Sequence, residues 1–577
     1  MCAGEAMDDY DVAVVGTGLA ESVAAAGLAR AGKRVLHVDP APRYGAAWAT
    51  LSVREVDEVV SSGNHAELGG VSHLSVDLPA GDPIPASVRV DPVGSGPAAL
   101  RCAGEALRVL EHAGGPGAHL EWRPVQACLV LDHAASALRK VPAARADVFS
   151  DASLPPLTKR RLMRVLQALP VDLDRRAARG QPGALAVDAL SRVKHQGSAA
   201  DGAAPGDGSA ELPATLRAWL CRTHGLDEGL ADLLVHGVAG CDGGVEEAAA
   251  MGREEGMAAM ATHLSALGTY APTPFLTPVH GGSELCQAFC RVAAVAGATY
   301  MLGQPIDGVR LAPDVDGDGF RFTGLTLGSS GPAGPSTAAV SARFLVSSHP
   351  FLLAQGLIEQ VKKEEETRNG RMDIPRGGRP VHEAAHAVYV LDGPLCAGLP
   401  GVSALVVPPG RASDPAMPAR CVYGMQLDAS TQMCPDGYFL VSLSSRMDAG
   451  CDPAEARTQM RCALDALVKA QAPPNTEEVG QTLSSDDDGD DGCLGQGTDK
   501  TPAVLWSCFS ILPLEGGALD PPAEGTLPKG VASLGRAPTV GIGASVEDAV
   551  ERARACVALI CSPDTPFFPH PDPPDGT

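Results

Sequence analysis

The residues best suited to chemistry lie near the N-terminus, within residues 10–39. An apolar run, Tyr10–Val15, leads into the glycines Gly16 and Gly18, and a second apolar run ends at Asp39. Glycines at such a turn let a backbone approach a pyrophosphate, and an acid about 20 residues later can bind a ribose hydroxyl. The spacing therefore indicates the cradle of a dinucleotide such as FAD or NAD, whose chemistry is redox.

One residue of this turn opposes a bound cofactor. Glu21 stands where the dinucleotide pattern expects a third glycine, which allows close packing of helix on strand. Its side chain adds bulk and a negative charge beside the place of the phosphates. We therefore predict that Gly16, Gly18 and Glu21 form a vestigial dinucleotide turn, retained for the fold with no cofactor. A working FAD or NAD site is the alternative.

The elements that position this turn follow the order strand, helix, strand. Ala20–Gly32 is an alanine-rich stretch that ends at a glycine, and residues 33–39 form the next apolar run. Near the C-terminus, Gly541–Ile560 combines glycines, acids in the first turn and apolar residues at helical spacing, which predicts a capped final helix. These patterns indicate an α/β fold with a Rossmann domain.

Other chemistries find little support in the composition. The 16 cysteines form no CxxC pair and no Cys/His metal spacing, and the acidic run 484–491 lacks the closing Glu of an EF-hand. We predict neither catalytic residues nor a metal site. The net charge of −24 argues against nucleic acid as the main partner, because phosphate neutralisation needs a basic surface.

Three separated motifs resemble the family of Rab GDP-dissociation inhibitors and Rab escort proteins. They are Asp11–Ser22, Arg34–Asp39 followed by Tyr44 and Gly45, and Thr273–Arg291, in the order that the family has them. With weaker matches, the resemblance covers about half of the chain. Three positions depart from the family pattern, since its usual Tyr, Gly and Pro are replaced by His280, Ser283 and Cys286.

The resemblance implies a two-domain architecture. A flavin monooxygenase-like, FAD/NAD(P)-binding-like Rossmann domain comes with a smaller all-helical domain. We assign residues 1–145 to the first part of the large domain and 146–275 to the helical domain, with a flexible insertion at 173–212. Residues 276–577 return to the large domain and carry an acidic, disordered insertion at about 474–500.

The resemblance also assigns residues to partner binding. Tyr44, Glu284 and Arg291 match the residues with which the family binds Rab, and Tyr270 and Phe275 match aromatic positions of a loop that contacts Rab. The residues by themselves say less. Glu284 and Arg291 lie two helical turns apart on one face, and such a pair is commonly no more than solvated surface.

A further segment points to the escort branch of the family. Arg145–Phe149 resembles a segment of that branch, and Arg160 follows Phe149 by eleven residues. The resemblance implies that Phe149 and Arg160 dock the type II geranylgeranyltransferase. Aromatic anchors joined by an arginine are typical of interface hot spots. The alternative is that Phe149 packs on the protein's own core at a helix entry.

Taken together, the resemblance implies a non-catalytic accessory component of Rab geranylgeranyltransferase. It would bind unprenylated, GDP-bound Rab, present it to the αβ heterodimer, shelter the geranylgeranyl groups and deliver prenylated Rab to membranes. The alternatives are a Rab GDP-dissociation inhibitor that recycles prenylated Rab, and a FAD-dependent oxidoreductase. No signal peptide or membrane-length apolar run is evident, so we expect a cytosolic protein with transient membrane contact.

Overall fold

The computed structural model describes most of the chain. The described residues are 9–63, 68–77, 84–113, 120–142, 145–151, 154–169, 213–314, 319–331, 334–348, 351–352, 355, 382–410, 417–471, 501–514, 527–535, 540–562 and 565–568.

Within these ranges the helices, in chain order, are α1 (Leu19–Arg30), α2 (Val53–Ser62), α3 (Glu105–Ala113), α4 (Arg145–Ser150), α5 (Pro156–Ala168), α6 (Leu216–Ala218, continued by a π-helical turn at Trp219–Thr223), α7 (Glu228–Gly237), α8 (Val245–Ala250), α9 (Arg253–Ala266), α10 (Ser283–Val295), α11 (Pro453–Lys469) and α12 (Ala544–Ile560).

The strands are β1 (Tyr10–Val15), β2 (Val35–Asp39), β3 (Leu51–Ser52), β4 (His73–Asp77), β5 (Arg89–Val90), β6 (Leu100–Arg101), β7 (Trp122–Pro124), β8 (Ala127–Asp132), β9 (Ala137–Lys140), β10 (Phe275–Pro278), β11 (Thr299–Leu302), β12 (Ile306–Pro313), β13 (Phe320–Gly331), β14 (Gly334–Ser347), β15 (His382–Leu391), β16 (Ser403–Val407), β17 (Val422–Leu427), β18 (Phe439–Asp448), β19 (Val504–Leu514) and β20 (Val531–Ser533).

The first sheet carries the glycine turn. In the described chain its strand order is β11-β2-β1-β14-β13-β12, with β20 beside β14. The pairs of β1 with β2 and β14, of β2 with β11, and of β14 with β20 are parallel, whereas β12, β13 and β14 pair antiparallel. The strand–helix–strand order predicted for residues 10–39 is present, and the α/β Rossmann-like fold class is confirmed.

Helices cover one face of this sheet and build its core. α1 packs on both α10 and α12, and α12 also meets α3. The alanines of α1 allow the close approach, because Ala24, Ala25 and Ala26 are fully buried in the same apolar cluster as Leu285 of α10 and Val550 of α12. The predicted final helix is therefore present as α12, packed on the helix that follows the glycine turn.

A second, largely antiparallel sheet adjoins the helical segment. Its strand order in the described chain is β4-β19-β15-β18-β17-β16-β8-β9. One apolar cluster joins this sheet to α4–α9, and another lies between it and α11. Helices α4–α9 fall between residues 145 and 266 and, apart from Arg145, lie inside the stretch 146–275 assigned to a helical domain; the domain limits themselves stay predictions.

Two predicted insertions, 173–212 and about 474–500, lie outside the described residues, as does the acidic run 484–491. Among the residues that the structure does describe, no helix combines the length and apolar character needed to cross a membrane. The same residues contain no group of three or more His, Cys, Asp or Glu arranged to hold a metal ion.

Candidate functional site

The glycine turn has the backbone of a nucleotide cradle, but Glu21 fills it. Gly16 has a φ of 97°, which glycine adopts without strain, and Gly18 precedes α1. A Cβ atom placed on Gly18 would lie 2.6 Å from Oε2 of Glu21, whose residue is only 7% exposed. The carboxylate therefore folds back over the turn, where a cradle of this kind receives phosphate.

The acid that would bind a ribose is also engaged within the protein. Asp39 accepts hydrogen bonds from the backbone N–H of Thr17 (2.7 Å) and from its hydroxyl (2.6 Å). Its other carboxylate oxygen accepts from the backbone N–H of Ala41 (2.8 Å), and the residue is buried. A ribose would have to displace these bonds, so Asp39 closes the turn rather than opening it to a ligand.

A cleft of about 120 Å³ remains beside the turn. Ligand pockets usually measure about 300–1,000 Å³, so the cleft is too small for a dinucleotide. Three acidic residues, Glu21, Asp91 and Asp548, line it, and the guanidinium of Arg552 donates to Asp548 at 2.8 Å. The size of the cleft and the acids at the turn do not fit a flavin or nicotinamide dinucleotide.

An aromatic contact connects the turn to Tyr44. The ring of His37 lies against Tyr300 with centroids 4.8 Å apart, and Tyr300 meets Tyr44 edge-on at 6.3 Å. Nε2 of His37 lies 2.5 Å from the carbonyl of Gly16, and burial lowers the pKa of His37 to about 4. His37 is therefore neutral and donates to that carbonyl. Burial also raises the pKa of Tyr44, which is half-buried.

Glu284 and Arg291 lie on one face of α10, as predicted. Nη2 of Arg291 is 3.9 Å from Oε2 of Glu284, and the amide of Gln287 donates to the other Glu284 oxygen at 3.3 Å. The Arg291 side chain is 44% exposed and that of Glu284 is 25% exposed. Both charges are thus accessible, and a neighbouring side chain fixes the geometry of the acid.

The two aromatic residues predicted to contact a partner from the loop 268–275 differ in their exposure. Tyr270 is 50% exposed, and its hydroxyl donates to Glu111 of α3. Desolvation of the Tyr270 hydroxyl, together with the hydrogen bond and the negative charge of Glu111, raises the pKa of Tyr270 to about 12. Phe275 is only 6% exposed and packs edge-on against His263 at 5.9 Å. Tyr270 can therefore meet a partner in this conformation, whereas Phe275 is part of the core that holds the loop.

The pair Phe149 and Arg160 lies on consecutive helices. Phe149 lies in the last turn of α4, and Nζ of Lys159 donates to its carbonyl at 2.7 Å. Phe149 is 54% exposed, so its ring does not pack as an ordinary core residue. On α5, Leu157 is 58% exposed and Arg160 is exposed one turn later. We call Phe149, Leu157 and Arg160 the docking surface.

Three residues of the site are not predicted from the sequence. Thr50 and Asp91 hold the start of α10, and Leu157 extends the docking surface. No local signal marks Thr50 or Asp91, because their partners lie far away along the chain. Leu157 could have been predicted, since it stands three residues before Arg160 and two residues at this spacing share a face of a helix.

Comparison with known proteins finds related sequences. Residues 6–171 and 216–325 match the family model described as GDP dissociation inhibitor. Rab escort protein 1 of Arabidopsis thaliana is 23% identical over 542 residues, covering 88% of this chain and 87% of that protein. The Rab proteins geranylgeranyltransferase component A of Candida albicans is 26% identical over 298 residues, which is 51% of this chain and 41% of that protein.

A solved structure supports the fold. The Rab GDI of Plasmodium falciparum superposes with a TM-score of 0.56, covering 96% of this chain and 98% of that one. At 14% identity this likeness bears on the fold alone. The α/β fold is that of a Rab GDI, and the family match relates this chain to the GDP dissociation inhibitor family, with Rab escort proteins among its relatives.

Proposed function

We propose that this protein is a Rab escort protein, a non-catalytic accessory component of Rab geranylgeranyltransferase. It binds unprenylated, GDP-bound Rab through Tyr44, Glu284 and Arg291, which we call the Rab platform, with Tyr270 beside it. It presents Rab to the transferase αβ heterodimer through the docking surface. It then shelters the geranylgeranyl groups and carries prenylated Rab through the cytosol to membranes.

The observation that carries the proposal is the exposure of Phe149. Burying a phenylalanine side chain gains about 1.5–3 kcal/mol, and a ring that is 54% exposed forgoes much of that gain. Leu157 is equally exposed on the next helix, and Arg160 adds a cation beside it. An aromatic and an aliphatic residue flanked by an arginine have the composition of a hot spot that a partner desolvates.

The Rab platform supports the other half of the proposal. Its acid and its base are both accessible, and they offer a partner an acceptor and a planar donor at a fixed spacing. A paired charge at the rim of an interface contributes more to specificity and association rate than to affinity. The sheltering role follows from lipid chemistry, since each CH₂ of a prenyl chain kept from water is worth about 0.8 kcal/mol.

The test is geranylgeranylation of a recombinant Rab by the purified type II transferase, with and without this protein. We expect transfer of labelled geranylgeranyl to Rab only when the protein is present. The Phe149→Ala variant should lose this support while binding Rab–GDP as the wild type does. Equal Rab prenylation in the presence and absence of the protein would rule out the escort role.

A second candidate is a Rab GDP-dissociation inhibitor. It is favoured by the match to the Rab GDP-dissociation inhibitor of Saccharomyces cerevisiae, which is 25% identical over 53% of this chain. An inhibitor would extract prenylated Rab from vesicles without supporting prenylation, so the two assays separate the functions. A FAD-dependent oxidoreductase is disfavoured, because Glu21 occupies the phosphate turn and Asp39 is bound to Thr17.

A further inference from the structure

The N-terminal turn of α10 is capped from outside the helix. Its N-cap residue is Gly282, which has no side chain to cap with. The backbone N–H of Gly282 instead donates to the carboxylate of Asp91 at 3.1 Å, and the N–H of Ser283 donates to the hydroxyl of Thr50 at 3.1 Å. The first turn of a helix leaves such N–H groups without helical partners, and a nearby carboxylate also favours the helix dipole.

The two capping side chains are bonded to each other. The Thr50 hydroxyl donates to Oδ1 of Asp91 at 2.6 Å; Thr50 is buried and Asp91 is partly buried. A Cβ atom on Gly281 would lie 2.5 Å from the Thr50 hydroxyl oxygen, so glycine at this position is what allows the approach. The backbone of Asp91 is held in turn by β15, because Nε2 of His386 lies 3.0 Å from the Asp91 carbonyl oxygen.

This arrangement joins the two segments of the Rab platform. Tyr44 begins a short loop that passes through the 3₁₀ turn Ala46–Trp48 and ends at Thr50. Trp48 lies against Gly282, since its Cε3 atom would be 3.4 Å from a Cβ there. Glu284 follows Ser283 in the first turn of α10. The position of the Tyr44 loop relative to Glu284 is therefore set by the hydrogen bonds of Thr50 and Asp91.

We propose that Thr50 and Asp91 are positioning residues that hold the Tyr44 loop and the start of α10 in register, and so set the affinity for Rab. Thr50 is buried, Asp91 is partly buried, and both are bonded to the start of α10, so each acts through Tyr44 and Glu284. The inference rests on the proposed function, because it concerns the affinity of the same platform.

The test measures binding of a recombinant, GDP-loaded Rab carrying a fluorescent label. Thr50→Val keeps the shape of the side chain and removes its hydroxyl, whereas Thr50→Ser keeps the hydroxyl. We expect Thr50→Val to weaken binding about tenfold and Thr50→Ser to stay within about twofold of the wild type. Asp91→Asn, which keeps an acceptor but loses the charge, should weaken binding by a similar or smaller factor.

A general loss of stability is separated from positioning by two controls. Ser445→Ala removes a buried hydroxyl that donates to the Cys421 carbonyl in the second sheet, at 2.9 Å, and should leave Rab affinity unchanged. In a Glu284→Ala background, Thr50→Val should weaken binding by a smaller factor than in the wild type, because one of the two residues through which it acts is gone.

The outcomes are distinct. Fully additive effects of Thr50→Val and Glu284→Ala, or wild-type affinity in Thr50→Val, would overturn the positioning role while leaving the proposed function standing. A wild-type protein that does not bind Rab–GDP would instead overturn the proposed function. Equal losses in Thr50→Val and Ser445→Ala would show that stability, not register, governs the affinity.

Discussion

The glycine turn and the docking surface use their side chains in opposite ways. At the turn, Glu21 and Asp39 are buried, and Asp39 is bound by Thr17 and Ala41. At the docking surface, Phe149 and Leu157 are more than half exposed. The glycine turn, whose sequence pattern fits a ligand site, is closed by its own acids. The docking surface, which carries no catalytic group, is exposed to solvent. The difference supports our proposal that the nucleotide turn serves the fold and that partner recognition lies elsewhere.

The largest expected effect is a loss of stability at low pH, caused by His37 beside the glycine turn. Burial lowers the pKa of His37 from 6.5 to about 4, so the unfolded chain binds a proton before the folded one does. The stabilising contribution is complete above pH 6.5 and is lost as the pH falls towards 4. We expect the free energy of unfolding to drop by an amount on the order of 3 kcal/mol from this residue alone.

Urea unfolding at pH 6.5, 5.5 and 4.5 checks this expectation. In His37→Gln, which keeps a donor for the Gly16 carbonyl but does not titrate, the pH dependence should be smaller. The control is His280→Asn, at an exposed position whose positive φ asparagine tolerates. An unchanged slope in His37→Gln would mean that the turn does not depend on a neutral His37.

The next largest effect concerns transferase binding by the docking surface. Replacing Phe149 by Ala should weaken binding to the type II transferase about thirtyfold, since hot-spot aromatics contribute about 2 kcal/mol or more. The matched control is Leu559→Ala, which truncates a 64% exposed side chain on α12. Titration calorimetry measures both variants. Similar losses in the two would mean that the docking surface has no special role.

Arg160 should contribute less to transferase binding than Phe149 does, because an exposed cation is screened by salt. We expect Arg160→Ala to weaken transferase binding about fivefold at low ionic strength, and by a smaller factor at high ionic strength. Arg54→Ala removes an exposed arginine from α2 and serves as the control for net charge. A salt-independent loss in Arg160→Ala would argue for packing of its aliphatic stem instead of charge.

The smallest effect tests how firmly the turn is closed. Glu21→Gly restores the dinucleotide pattern and should cost about 0.5–1 kcal/mol of stability, because glycine weakens a helix. We expect no flavin absorbance after incubation with FAD and desalting, since Asp39 remains bound to Thr17. Glu21→Gln, which keeps the bulk, is the control. A yellow Glu21→Gly protein would show that Glu21 alone excludes the cofactor.

Much of the fold could be predicted from local patterns. The apolar run Tyr10–Val15, the glycines after it and the alanine-rich stretch predict a strand, a turn and a helix, and the structure has all three. Such features depend on residues that are neighbours in sequence, so periodicity reveals them. The shared face of Glu284 and Arg291 could be predicted for the same reason, from the geometry of one helix.

The exposure of side chains could not be predicted in this way. Phe149 and Phe275 both match family positions, yet the first is 54% exposed and the second is 6% exposed. Exposure depends on which other elements cover a residue, and those elements come from distant parts of the chain. The alternative in which Phe149 packs on its own core was open until the arrangement of α4 and α5 was known.

The sequence by itself determined the strand–turn–helix opening, the final helix and the family motifs, because each is written in contiguous residues. Only the tertiary structure decided that Glu21 folds over Gly18, that Asp39 is used by Thr17, and that Thr50 reaches Ser283, 233 residues away. These contacts form when the chain is folded and the groups are desolvated together. Their energies belong to the assembled core, which no local pattern encodes.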